Sequence, residues 1–141
     1  MNIEVPGISM YFTSDKIYIR KNTIKALDNP DYIHLYINRG NKLLYIVPCK
    51  KDKDSFRIHY DEWSVFVGED GEKYKDYKDP QAFFINARRL LDFLAIVVGV
   101  KRNSASLRFA GSLHKDKYTD KEHVIIDLTT YEVVENEKNY W

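Results

Sequence analysis

Residues Ile17–Pro48 read IYIRKNTIKALDNPDYIHLYINRGNKLLYIVP, and the spacing of apolar residues changes twice within them. Ile17-Tyr18-Ile19 is β-branched and aromatic, as an extended chain prefers. Ile24 and Leu27 then stand three apart, the spacing that puts two side chains on one face of a helix. That spacing predicts a short helix over about Asn22–Leu27. Asn22 is its expected N-cap, since an Asn side chain accepts from an early amide that has no carbonyl partner. Asp28-Asn29-Pro30 ends it, because proline lacks an amide hydrogen and drives the residue before it out of the α region. From Tyr32 to Ile37 the alternation is strict, with Ile33, Leu35 and Ile37 on one side and Tyr32, His34 and Tyr36 on the other. Asn38-Arg39-Gly40-Asn41 supplies a glycine-containing hairpin turn. Lys42–Val47 returns as the next strand, and Pro48 stops its pairing.

The flanks extend this order. Ile8–Thr13 predicts a first strand, turning through Ser14-Asp15-Lys16 into Ile17–Ile19; Pro6 and Gly7 argue against regular structure before it. Lys50–Asp54 is a solvated loop. Phe56, Ile58 and Tyr60, then Trp63, Val65 and Val67, alternate on either side of Asp61-Glu62 and predict another hairpin. Residues 68–80 are polar and read as an acidic connection. Phe83–Ile85 is extended, with Asn86 as a second expected N-cap. Ala87, Leu90, Leu91, Leu94, Ala95 and Val98 mark one helical face, which Phe93, Ile96 and Val97 widen. Gly99 is placed to close that helix in the left-handed conformation. Ser104–Leu113 and His123–Thr129 predict two strands across a charged turn, with Gly111 as a candidate bulge. The tail at 131–141 receives no assignment.

A shift of 66 lays Ile17-Tyr18-Ile19 on Phe83-Phe84-Ile85, Ile24 on Leu90 and Leu27 on Phe93. Two strands follow the helix in each case, so each copy reads as ββαββ. One such unit exposes an apolar face that a second unit can cover.

The strand–helix–strand–strand order in IYIRKNTIKALDNPDYIHLYINRGNKLLYIVP resembles the AbrB/MazE family of swapped-hairpin transcription factors and antitoxins. Ile19 matches the isoleucine before the family's helix, Leu27 its terminal leucine, and Lys25 a position where arginine is common. Arg20 stands in place of the helix-opening proline, Thr23 in place of the first helix leucine, and Asp28 in place of the glycine after the last one. The resemblance covers roughly residues 7–50, and 81–130 more faintly. It implies intertwined dimers and DNA binding through basic residues on one face. The expected fold is therefore α+β and β-rich: a single compact domain of two tandem ββαββ units, at about 7–50 and 55–130. These units are expected to form a pseudo-twofold swapped-hairpin-like barrel or sheet pair. The expected function is a small cytoplasmic DNA-binding regulator or antitoxin-like protein; a protein-interaction or assembly module with the same fold is the alternative.

The chain has 141 residues, 44% of them hydrophobic and 11 of them tyrosine, with a net charge of +1. That is enough apolar material for a folded core, and a whole-protein field that demands no polyanionic partner. The distribution is less even: residues 1–60 carry 10 Lys and Arg against 6 Asp and Glu, while 61–80 carry 3 against 7. Candidate nucleic-acid contacts are Lys16, Arg20, Lys21 and Lys25 in the first copy and Arg88, Arg89, Lys101 and Arg102 in the second. Cys49 is the one cysteine, which excludes an internal disulfide and reads as a buried, inert thiol. His34, His59, His114 and His123 show no metal-ligand spacing and read as surface or edge-strand residues. Gly68-Glu69-Asp70-Gly71 lacks the Lys-Ser/Thr of a phosphate loop, and Ser112 lacks the second glycine of a nucleophile elbow. No catalytic residue, metal or cofactor is expected. A homodimer is expected from the apolar girth of the helix around Phe93 and Val97, and no membrane segment.

Overall fold

The computed structural model describes residues 6–12, 14–60, 63–67, 69–77, 83–101 and 106–134, with 11, 63–67, 73–77 and 134 described by their backbone. The first half of the chain gives β1 (Gly7–Tyr11), β2 (Lys16–Ile19), α1 (Lys21–Ala26), β3 (Tyr32–Asn38) and β4 (Leu43–Cys49). Then come β5 (Phe56–Arg57), β6 (His59–Tyr60), β7 (Trp63–Val67), β8 (Lys73–Tyr77) and β9 (Phe83–Asn86). The chain continues with α2 (Arg88–Val98), β10 (Ser106–Lys115) and β11 (Glu122–Val134). The β-rich character and the two helices match the expectation. The hairpin expected between residues 56–60 and 63–67 does not form. β7 pairs instead with β8, which lies inside the stretch read as a connection. The end of that stretch, 78–80, and the tail beyond residue 134 lie outside the described residues.

Nine strands form one antiparallel sheet in the order β5-β3-β4-β11-β10-β1-β2-β9-β6. Its two edge pieces, β5 and β6, are separated only by Ile58. Since β5 pairs with β3 while β6 pairs with β9, one bent stretch nearly closes the sheet into a barrel. The Ile58 amide anchors the bend by donating to the Asp31 carbonyl at 2.9 Å. The β10–β11 hairpin sits between β4 and β1, so the β3–β4 hairpin does not pair with the β1–β2 hairpin that precedes it.

The inward residues fill the barrel. Ile8, Met10, Ile17, Ile33, Leu44, Ile46, Ile85, Phe109, Val124 and Ile126 are all buried, and Leu91 and Leu94 of α2 join them. Each such side chain contributes about 1.5–3 kcal/mol relative to exposure. Gly111 stands beside an irregularity: the β10–β11 register shifts between Phe109 and Gly111, and the extra residues, 127–130, lie on β11 opposite Ala110. A Cβ there would stand 2.5 Å from Ile126 Cδ1, 2.9 Å from Val124 Cγ1 and 3.0 Å from the Ile125 carbonyl oxygen, so a side chain at 111 would have to displace its neighbours on β11.

The helix starts are set by tertiary contacts and not by the expected caps. α1 has six residues, too few to stand alone. Its N-cap is Arg20 rather than Asn22, and no side chain caps it. The buried Thr23 fastens it instead: the Gly7 amide donates to Thr23 Oγ1 at 2.7 Å, and that hydroxyl donates to the Gly7 carbonyl at 3.1 Å. The α2 N-cap is Ala87 rather than Asn86, and the Ala87 amide donates to the Asp15 carbonyl at 2.8 Å. Gly99 closes α2 at φ 88° in the expected left-handed conformation. Among the described residues no helix is long and apolar enough to cross a membrane.

Candidate functional site

The basic residues singled out in the sequence do not gather in one place. Lys16 lies on β2 with its ammonium 4.5 Å from the Phe84 ring centroid, a cation–π contact. Arg20 and Lys21 are half-buried at the start of α1, where the Arg20 guanidinium lies beside Gly7. Arg88 and Arg89 are exposed at the start of α2 and line a hollow of about 590 Å³ with Asp15, Phe56 and Asn86. Because β2 and β9 run antiparallel, these two helix starts stand at opposite ends of a short ladder, from Ile19↔Phe83 to Lys16↔Asn86. Lys101 is exposed beyond α2, and Arg102 lies outside the described residues.

Lys25, exposed on the last turn of α1, belongs to a larger feature. It lines a cleft of about 1120 Å³ whose walls are the end of α1, the β4–β5 connection with Lys50, Lys51 and Asp52, and the β10–β11 turn with Lys115, Asp120, Lys121 and Glu122. His34, Val47 and Cys49 of the β3–β4 hairpin form its floor. A hollow of about 360 Å³ adjoins it, sharing Val47, Lys121 and Glu122 and adding Tyr36, Tyr45 and His123.

Strand alternation builds this floor. With Ile33, Leu44, Ile46, Val124 and Ile126 turned into the core, the residues between them must face outward. Register then sets Tyr36 opposite Tyr45, Tyr45 opposite Ile125, and His123 opposite His114. The His114 and His123 rings stack at 5.9 Å between centroids, and Tyr45 lies 6.3 Å from His123. Ser112 Oγ hydrogen-bonds His114 Nε2 at 2.7 Å.

A hydrogen-bonded chain fixes the β3 side. His34 Nε2 is 2.7 Å from Asp52 Oδ2, and Tyr36 Oη is 3.1 Å from His34 Nδ1. A carboxylate only accepts, so Nε2 carries the proton, and in the neutral ring Nδ1 accepts from the tyrosine hydroxyl. Asp52 is itself held by its turn. The Asp54 amide donates to Asp52 Oδ1 at 2.8 Å, and the Asp52 amide donates to Ser55 Oγ at 2.9 Å. Desolvation alone would raise the Asp52 carboxyl, but the Asp54 amide, the bond and charge of His34, and Ser55 together hold it below the ordinary range. Burial first, and then the Asp52 charge, push the Cys49 thiol up, so at neutral pH it stays protonated and a poor nucleophile.

Among the described residues no group of three or more His, Cys, Asp or Glu is placed to hold a metal ion. Sequence reasoning missed this cleft because His34 and the His123 of its adjoining hollow stand far apart in the sequence, with no shared spacing. The available signal was the alternation that put His34 and Tyr36 on the face opposite Ile33 and Leu35. No protein-family model matches the chain, and neither a curated protein nor a solved structure matches it.

Proposed function

We propose that the chain is a small cytoplasmic DNA-binding regulator or antitoxin-like protein of the swapped-hairpin kind, built from two fused ββαββ units. The first unit would be β1-β2-α1-β3-β4, and the second β5/β6-β9-α2-β10-β11 with β7–β8 inserted. Exchanging the units member for member leaves every neighbour in the barrel the same, which supports the duplication. The observation that carries the DNA reading is the register of β2 against β9. Tyr18 stands opposite Phe84, its counterpart under the shift of 66, with Ile17 opposite Ile85 and Ile19 opposite Phe83. A local dyad through that pair relates the basic start of α1 to the basic start of α2, and duplex DNA offers a dyad of its own.

Anisotropy titration with duplex DNA at rising salt tests this. Binding should weaken steeply with salt, and Arg88→Ala with Arg89→Ala should reduce the logarithmic salt slope by about 2. Absence of binding at low salt overturns the reading. The rival, a protein-assembly module, is favoured by Ile96, which is 75% exposed on α2. The same residue supports a homodimer, and sedimentation as a monomer at micromolar concentration counts against that.

A further inference from the structure

We propose that the outer face of β3-β4-β11-β10, with its cleft, is a platform for single-stranded nucleic acid. The ligand class rests on the nucleic-acid reading above, but the site is a different one. Two kinds of group are needed to hold a single strand: flat rings on which unpaired bases stack, and cations along the backbone path. Both meet here. Tyr36, Tyr45 and His123 line the smaller hollow, and Tyr36 is 54% exposed. The hydroxyl of Tyr36 is already held by His34, which Asp52 and its turn hold in place. The ring is therefore positioned before a base arrives, which lowers the ordering cost of binding.

The charge at the rim favours phosphate. Asp120 is paired with Lys115 at 3.1 Å, and Asp52, which keeps its charge, is turned to its hydrogen bond with His34, so the five lysines lining the cleft stand against four carboxylates. Of the other charged residues lining the cleft, Lys25, Lys50, Lys51 and Lys121 face only Asp28 and Glu122, and none of these six makes an ion pair among the described residues. The cleft of about 1120 Å³ and its adjoining hollow together exceed a usual small-molecule site of about 300–1,000 Å³. A short run of linked nucleotides fits that size better than one small ligand. A duplex does not fit the chemistry, since its base faces are covered by their neighbours and cannot reach a tyrosine.

The test uses the full chain and fluorescein-labelled mixed-sequence oligomers, as single-stranded DNA, single-stranded RNA and duplex DNA, titrated at low salt. At least one single strand should bind, and the DNA and RNA arms tell which backbone is preferred. Tyr36→Ala and Tyr45→Ala should each weaken that binding by about tenfold, while Tyr36→Phe loses less, because it keeps the ring for stacking and gives up only the hydroxyl that holds it to His34. Replacing Lys50 and Lys51 by Ala should lower the single-strand salt slope by about 1.4. Unchanged affinity in both ring variants, or equal displacement by heparin, overturns the platform. Should a ring variant unfold, tyrosine ring resonances of the native chain decide, and absence of shifts on adding the single strand overturns the proposal. Single strands bound without duplex would leave this proposal standing and sink the DNA-regulator reading. Duplex bound without single strands would do the reverse.

Discussion

Thr23 Oγ1 accepts from the Gly7 amide at 2.7 Å and donates to the Gly7 carbonyl at 3.1 Å, wholly buried, and so ties α1 to the first residue of β1. The Gly7 carbonyl also accepts from the Arg20 amide at 3.1 Å, whereas no other partner is described for the Gly7 amide. Thr23→Val keeps the shape and leaves that amide buried without an acceptor, which costs about 1–3 kcal/mol. Urea denaturation should show the unfolding free energy fall by that amount, through a lower midpoint at unchanged slope; an unchanged midpoint refutes the role given to the hydroxyl. Asp28 and Asn29 end α1 at φ 63° and φ 51°, the left-handed region that Asp and Asn enter more readily than most side chains. The Gly99 cap was readable in the sequence. The helix starts were not, because Gly7 and Asp15 are distant in sequence from the helices they fasten.

Among the elements, β7–β8 is an excursion. Tyr60 stands opposite Phe83 in the β6–β9 ladder, so the chain leaves the barrel and re-enters at adjoining positions. In β1–β2 the corresponding pair, Tyr11 and Lys16, is joined by a short turn. Replacing residues 61–82 by a four-residue Asn-Gly-containing turn should therefore leave the barrel intact. Retained near-UV circular dichroism and cooperative melting check this, and a chain that no longer folds refutes it. Tyr32–Ile37 was legible because one of its faces is buried and the other is not. Lys73–Tyr77 carries no such contrast, so its pairing with β7 left no mark in the sequence. The β10–β11 turn carries a pH dependence of its own. Asp116 Oδ1 accepts from the Tyr118 amide at 2.8 Å and the Thr119 amide at 3.3 Å, and these bonds hold its carboxyl below the ordinary value of 3.8. A depressed carboxyl stabilises the turn above the unfolded value and loses that effect as the pH falls through the folded one. The amide resonances of Tyr118 and Thr119 should titrate together with a midpoint below 3.8. A midpoint at or above it contradicts the turn geometry.

At the scale of the molecule, interleaving decides what can fold alone. In the first half of the chain β1 depends on β10, β2 on β9, β3 on β5 and β4 on β11, and all four partners lie beyond residue 50. The local order of elements was legible in the sequence, but this pairing was not, since alternation reports which face is buried and never which strand lies alongside. The same limit explains the candidate site. Lys25 was picked for its place on a helix, whereas its neighbours Lys50, Lys51 and Lys121 reach it only through the barrel's register. A cut in the exposed Lys50–Asp54 loop turns the interleaving into a measurement. Residues 1–50, expressed alone, would leave one edge of each of its two hairpins uncovered along with most of the core face. As a monomer this fragment should be unfolded, and it should gain structure only by pairing with a second copy or with residues 51–141. Mixing the two fragments should restore the near-UV spectrum of the whole chain, with sedimentation at one copy of each. A folded monomer of residues 1–50 would contradict the interleaved barrel. A self-associated pair of that fragment would support the proposed duplication, with a second copy of the first unit standing in for the second unit.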